Sequence, residues 1–355
     1  MDKLLLKPAM FKPSFNDWEI TGVLNPGGIR MQNGKICLYV RVAEKPKQNS
    51  SGKLMCPVIV SKDEYKAESD SFNKKEIKIQ NGNVLYLKNS ICRLTNISHF
   101  RKVILEENGF EVSEISDKPN FMGIPGESEY GVEDCRIVKL EGRYCMTYVA
   151  VSKDNGVSVA LATSKDLTNW ERKGIIFQEQ NKDAVLFPEK IKGLYVALNR
   201  PESQFIFSRP SIWISYSKDL IYWGREKTIL RVRENSWGDK RNGAGAPPLK
   251  TNKGWLLIYH GVGKLNGKDA YSTGAALLDL KNPEKVIARS PKNKPLFYPK
   301  YDYEKKGFYN NVVFPTAAIF TKDKKEILIY SGAADRYVSV RKLKVSEILQ
   351  HLEYY

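Results

Sequence analysis

Histidine is scarce in this chain. Its 355 residues include three (His99, His260 and His351), too few to suggest a histidine-built metal centre. Cysteine is sparse and odd in number. The five (Cys37, Cys56, Cys92, Cys135 and Cys145) form no CxxC pair, which argues against a disulfide scaffold or a zinc site and leaves buried, reduced thiols as the expectation. Long hydrophobic runs are missing as well. Nothing has the length of a membrane span, and Leu4 to Leu6 is too short for a signal h-region, so the expected location is the cytoplasm. Acid is short relative to base, with 40 Asp and Glu against 57 Lys and Arg, a net charge of +17. That charge fits a nucleic-acid partner, an anionic substrate or a lysine-rich solvated surface. The lysines are spread along the chain without an arginine-rich tract, and we expect no nucleic-acid partner.

Helical pattern is also rare. The best candidate is the closing segment Val345 to Leu352. Elsewhere short β-branched and aromatic runs alternate with Gly, Pro, Asn and Asp clusters, the pattern of an all-β sandwich, barrel or propeller. Internal repetition separates these options. Ser164-Lys165-Asp166-Leu167-Thr168-Asn169-Trp170 recurs 53 positions later as Ser217-Lys218-Asp219-Leu220-Ile221-Tyr222-Trp223. An apolar run ending in polar groups occurs five times, at Ile36 to Arg41, Tyr144 to Val149, Leu194 to Arg200, Trp255 to His260 and Ile327 to Ser331. Five copies in this length give about 70 residues per unit, longer than common propeller repeats but compatible with long loops. The expectation is a single five-bladed β-propeller over residues 1–355, with a short C-terminal helix. The five runs would be inner strands, buried on both faces. The polar, charged stretch Pro46 to Asp117 breaks the repeat and reads as an elaborated first blade. It carries turns at Asn49-Ser50-Ser51-Gly52 and Asn81-Gly82, and a strand at Ser98 to Leu105.

The chemistry centres on Gly131-Val132-Glu133-Asp134-Cys135-Arg136-Ile137, two acids and an arginine at the mouth of a strand. The bland reading is a surface ion pair; the functional one is acid–base chemistry on a polar substrate. Gly-rich turns precede several of the repeated runs, at Asn25-Pro26-Gly27-Gly28, Asn181 to Lys190 and Lys240 to Pro248. Lys182, Arg200, Arg241 and His260 sit at equivalent places in the repeat, where a propeller can gather them into an anion pocket. Gly243-Ala244-Gly245 is not a phosphate fingerprint, because no helix follows it.

These motifs resemble glycoside hydrolase family 130, the β-mannoside phosphorylases and related β-mannosidases. The resemblance runs from about Leu24 to the C-terminus. It is carried by Asn25-Pro26-Gly27-Gly28 with Arg41, Glu133 to Arg136, Lys182 to Lys190, Asn199-Arg200-Pro201, Gly243 to Pro248, Trp255 to Val262, Tyr309 to Pro315, and Ser331 to Asp335. It implies a five-bladed propeller and an inverting phosphorylase that releases α-mannose 1-phosphate. Asp134 would be the catalytic acid, its proton travelling through the mannoside 3-hydroxyl to the glycosidic oxygen. Lys182, Arg200, Arg241, His260 and Tyr271 match phosphate ligands; Asn25, Arg41 and Asp335 match residues holding the mannose. Glu133 and Arg136 read as supports.

An inverting hydrolase needs two carboxylates with room for water between one of them and the sugar. Phosphate arrives as an anion, so cations can replace the second acid. The implied partners are therefore an oligosaccharide and inorganic phosphate as co-substrate, with no metal, no cofactor and a possible homo-oligomer. Two departures matter. Lys182 stands where the phosphorylases often have arginine, and Lys240 competes with Arg241 for one position. The alternatives are an exo-β-mannosidase with Glu202 or Glu133 as base, and a basic propeller module binding acidic glycan or nucleic acid.

Overall fold

The computed structural model describes residues 1–47, 52–203 and 207–355. Of the turn expected at 49–52, residues 49–51 lie outside the described residues. The fold is all-β: five antiparallel sheets of four or more strands carry the chain, with two small sheets inserted near the start. Taken outward from one edge, the first sheet is Trp18–Arg30, Ile36–Pro46, Ile97–Leu105 and Val112–Ile115. The second is Val132–Leu140, Arg143–Ser152, Gly156–Ser164 and Trp170–Phe177. The third is Asn181–Leu186, Tyr195–Pro201, Ile212–Ser217 and Trp223–Leu230. The fourth runs Arg241–Ala244, Trp255–Leu265, Lys268–Leu278, Val286–Arg289 and Glu353–Tyr354. The fifth is Val313–Phe320, Glu326–Ala333, Tyr337–Lys344 and Asp2–Leu6, so the start of the chain completes the last sheet.

Five apolar cores lie between these sheets, each shared by two neighbours. Cys37, Tyr39 and Phe100 of the first sheet pack on Val132, Met146 and Tyr148 of the second. Val138 and Leu161 meet Leu186 and Ala197, and Leu198 and Ile214 meet Trp255 and Leu257. Leu256 and Ile258 meet Ile327 and Ile329. Leu328 and Tyr330 then meet Leu38 and Val40, returning to the first sheet. Alternate side chains of one strand thus enter different cores, as the pleat dictates. This is why the repeated runs are apolar without a polar face.

The five repeated runs are largely buried, as expected of inner strands, and each lies in the second strand of its sheet, hydrogen-bonded on both sides. The edge strands before them, Trp18–Arg30, Val132–Leu140, Asn181–Leu186 and Arg241–Ala244, carry Asn25, Asp134, Lys182 and Arg241.

The repeated Ser-Lys-Asp-Leu turn joins the third and fourth strands of the second and third sheets in the same geometry. Asp166 Oδ1 accepts from the amides of Thr168 and Asn169, each at 2.8 Å. Asp219 Oδ1 does the same for Ile221 and Tyr222, each at 2.9 Å. Asp279 makes a third copy in the fourth sheet, accepting from Lys281 and Asn282; its flanking sequence hid it.

The closing helix is Val345–His351, and a one-turn helix at Asp302–Lys305 was not expected. Within the stretch that breaks the repeat, Leu54–Ile59 pairs with Ala67–Phe72, and Ile77–Asn81, Val84–Leu87 and Cys92–Leu94 form a three-stranded sheet. The Asn81-Gly82 turn and the strand beginning near Ser98 fall where the sequence placed them. Four cysteines are buried thiols; Cys92 is exposed, contrary to expectation.

Candidate active site

Three edge strands share an interruption that decides where their polar side chains point. Pairing shifts register between Leu24 and Gly27, between Glu133 and Arg136, and between Lys182 and Val185. Inside these irregularities Asn25, Asp134 and Asp183 adopt φ of 45°, 50° and 54°. Asn and Asp tolerate this left-handed region better than other side-chain-bearing residues, and a bulge re-aims the side chain it carries.

The first group gathers round Asp134, whose side chain is 13% exposed. Asn25 Nδ2 donates to Asp134 Oδ1 at 2.8 Å, and Arg41 Nη1 donates to the same oxygen at 3.0 Å. Arg41 also donates to Glu133 Oε1 at 2.6 Å and to Ser98 Oγ at 3.0 Å. Burial raises the Asp134 pKa, but Arg41, Arg136, Asn25 and Lys182 outweigh it and hold the carboxyl below its ordinary value. Asp335 lies in the turn between the second and third strands of the fifth sheet, at φ 50°. Burial pushes it up to about 6; Arg41 and Lys182 oppose the rise, and Asp134 and Glu133 reinforce it.

The second group gathers round a residue the sequence reading did not single out, Asp183. Its Oδ2 is 2.6 Å from Arg200 Nη1, and its Oδ1 accepts from Arg136 Nη2 at 3.3 Å. Burial raises its pKa, but Arg200, His260, Arg136 and Lys182 hold it below the usual range. Arg200 Nη1 donates to His260 Nε2 at 3.1 Å. Because a guanidinium cannot accept, that nitrogen is unprotonated and the ring proton sits on Nδ1. Burial, with Asp183 opposing and Arg200, Arg136 and Arg241 reinforcing, moves His260 down to about 3. The 3.5 Å approach of His260 Nε2 to Asp183 is therefore not an ion pair. Glu202 bridges the open side, 2.6 Å from Arg200 Nη2 and 3.6 Å from Arg241 Nη1. Tyr271, on Lys268–Leu278, stacks near His260 with centroids 6.1 Å apart; burial raises its pKa, against Arg241 and Arg200.

Arg136 joins the groups. Its Nη1 donates to the Asp134 carbonyl, its Nε to the Gly245 carbonyl at 2.9 Å, and its Nη2 to Asp183. All nine residues singled out from the sequence thus fall on these two connected groups. Of the two residues competing for one position, Lys240 pairs with Asp269 at 2.6 Å, while Arg241 faces Glu202 at 3.6 Å. Two motif glycines have a steric reason. A Cβ on Gly332 would lie 1.8 Å from Asn25 Oδ1, and one on Gly243 would lie 2.2 Å from Asp183 Oδ2.

Residues 107–354 match the family model of glycoside hydrolase family 130, described as β-1,4-mannooligosaccharide phosphorylase. The chain belongs to this family. Among its family-130 relatives, a β-1,2-mannobiose phosphorylase of Listeria innocua serovar 6a is 35% identical over 98% of this chain and 96% of its own length. A 1,2-β-oligomannan phosphorylase of Thermoanaerobacter sp. is 42% identical over 65% of this chain and 74% of its own length. A solved structure of β-1,2-mannobiose phosphorylase from Listeria innocua, in complex with β-1,2-mannobiose, superposes with a TM-score of 0.88. It is 34% identical and covers 98% of this chain and 96% of that one. Among the described residues no helix is long and apolar enough to cross a membrane.

Proposed function

We propose that this family-130 enzyme is an inverting β-mannoside phosphorylase, which converts a β-mannoside and inorganic phosphate into α-mannose 1-phosphate and a shortened glycan. The observation that carries the reading is Glu202, a carboxylate lying between Arg200 and Arg241. It occupies the position an anionic nucleophile would take. Arg200, Arg241, His260, Tyr271 and Lys182 hold the phosphate. Asn25, Arg41 and Asp335 hold the mannose. One phosphate oxygen attacks the anomeric carbon as the bond to the glycosidic oxygen breaks. The leaving oxygen takes the mannose 3-hydroxyl proton, and that hydroxyl takes the proton of Asp134.

The cations around Asp134 favour its ionised form. Bound phosphate sets its negative charge against Lys182, a cation common to both groups, and raises the Asp134 pKa, so the acid form builds up with both substrates in place. Hydrolysis has less support, since each candidate base is already engaged: Glu133 with Arg41 and Glu202 with Arg200. The names of the Listeria and Thermoanaerobacter relatives favour a β-1,2 linkage. The five sheets and five shared cores, returning to the first, support a single five-bladed propeller domain whose first blade is elaborated at about 46–117. Phosphate as the sole co-substrate, without cofactor, metal, nucleic acid or membrane partner, and a cytoplasmic enzyme complete the proposal.

The test is incubation with β-1,2-mannobiose, with and without phosphate, followed by phosphorus NMR. Phosphate-dependent α-mannose 1-phosphate is the expected product. Release of free mannose without phosphate overturns the reading.

A further inference from the structure

The small sheets inserted between the second and third strands of the first sheet reach both sides of the Asp134 group. At one end Ile59 N donates to the carbonyl of Glu129 at 2.8 Å, and the Arg93 guanidinium stands 5.3 Å from the centroid of Tyr130. Both contacts fall just before Gly131, where the chain enters the strand of Asp134. At the other end the hairpin tip meets two aromatic rings. A Cβ on Gly82 would lie 3.1 Å from Tyr309 Oη and 3.3 Å from Phe308 Cζ. The amides of Phe308 and Tyr309 both donate to the carbonyl of Ala334, at 2.9 and 3.3 Å. Ala334 is the neighbour of Asp335, and the two share a left-handed turn at φ 48° and 50°.

These contacts fix the two rings relative to Asp335, yet leave them open. Phe308 is 48% exposed and Tyr309 45%, and Tyr86 beside them on the hairpin is 41% exposed. The rings of Phe308 and Tyr309 stand edge to face with centroids 5.1 Å apart. Single exposed aromatics are ordinary on a protein surface. Two whose backbone is hydrogen-bonded next to a carboxylate of the site, packed on the tip of a hairpin that carries a third, are a built surface. Such rings offer an apolar face and, for tyrosine, a polar edge, which matches the C–H face and hydroxyl rim of a pyranose.

Which sugar they face follows from the direction of displacement. In an inverting reaction the nucleophile and the leaving group lie on opposite sides of the anomeric carbon. The arginines that hold the nucleophile gather round Asp183 and Glu202. Phe308 and Tyr309 are tied instead to Ala334, the chain neighbour of Asp335, whose surroundings are those of the Asp134 group. We propose that Tyr86, Phe308 and Tyr309, braced by the Gly82 hairpin, form the platform for a pyranose ring of the leaving glycan, beyond the scissile bond. The assignment rests on the phosphorylase reading for its direction.

The experiment has two readouts, made on Tyr309→Ala, Tyr309→Phe and Tyr86→Ala. The first is synthesis from α-mannose 1-phosphate and mannobiose. Tyr309→Ala raises the acceptor KM roughly tenfold or more, a loss of about 1.4 kcal/mol, and moves the KM of the glycosyl phosphate much less. The second is calorimetric binding of β-1,2-mannobiose without phosphate, which needs no turnover. Tyr309→Ala weakens it by a similar factor, Tyr309→Phe keeps it, and Tyr86→Ala weakens it less. Melting curves establish that each variant is folded, and Tyr86→Ala carries the test should Tyr309→Ala not fold. Unchanged acceptor KM and unchanged binding in both alanine variants overturn the platform, as does a wild type that binds no mannobiose. Binding lost in Tyr309→Ala, with no mannose 1-phosphate from the wild type, overturns the phosphorylase reading and leaves the platform standing.

Discussion

Glu202 Oε1 lies 2.6 Å from Arg200 Nη2, so the chain supplies its own carboxylate to the arginine that would otherwise meet an incoming anion. On the proposed phosphorylase reading, the contact makes Glu202 a competitor of phosphate.

Glu202→Gln removes the competing charge and keeps the shape. Phosphate should bind more tightly, its KM falling several-fold, since a hydrogen bond between ionised partners is roughly twice as strong as a neutral one. Initial rates at varied phosphate check this. A rise in KM would mean that Glu202 orients Arg200 instead. No hydrolytic activity is expected to be lost.

Asp134→Asn keeps the amide-sized group between Asn25 and Arg41 but cannot give up a proton. Turnover should fall by about 10²–10⁴-fold, the usual contribution of a positioned acid. The fold should persist with a slightly lower melting temperature at neutral pH. The sign follows from the depressed pKa. Ionised Asp134 stabilises the native state above its ordinary value of 3.8, and that contribution is lost as pH falls through the folded value. Full activity in the variant would remove Asp134 from the role of acid.

Asp335→Asn should act on stability in the opposite direction. Its carboxyl titrates at about 6 in the folded chain against an ordinary 3.8. Between those values the native state binds more protons than the unfolded one, so stability falls as pH rises, and the penalty is complete above 6. A shift of this size corresponds to something on the order of 3 kcal/mol. The variant should therefore melt higher than wild type at pH 7 to 8, and the gap should close towards pH 4, while activity falls. A gap that does not change with pH would show that Asp335 is not strained by its charge.

Asp183→Ala leaves Arg136 and Arg200 buried without their shared counter-charge. Loss of one partner from a buried ion pair costs about 3–5 kcal/mol. Added phosphate should restore part of the melting temperature, and by more than it raises that of wild type, because it replaces the missing negative charge. Equal phosphate shifts in both proteins would separate Asp183 from the anion site.

Much of this protein was legible in its residues. Strand after strand follows from β-branched and aromatic runs bounded by turn residues, and the Ser-Lys-Asp-Leu repeat marked equivalent corners of two sheets that the structure draws alike. The motifs also carried the family, and with it Asn25, Arg41, Asp134, Arg200, Arg241 and His260 as one set. The strands, the turns and the family were legible because turn chemistry and strand pattern are local, and motif order survives in sequence.

What only the tertiary structure decided is how the set is aimed. The left-handed bulge at Asn25, Asp134 and Asp183 depends on register with a neighbouring strand, which no local pattern states. Asp183 looks like any acid beside a base until the second and third sheets bring Arg136 and Arg200 to it, and Glu202 meets Arg241 only across the third and fourth. Lys240, just before the strand Arg241–Ala244, pairs with Asp269 while Arg241 faces Glu202, a difference that only the folded chain shows. Likewise the Gly82 hairpin and Tyr309 are more than two hundred positions apart in a chain of 355 residues. Their contact exists because the chain's start completes the last sheet and brings the first and fifth sheets side by side.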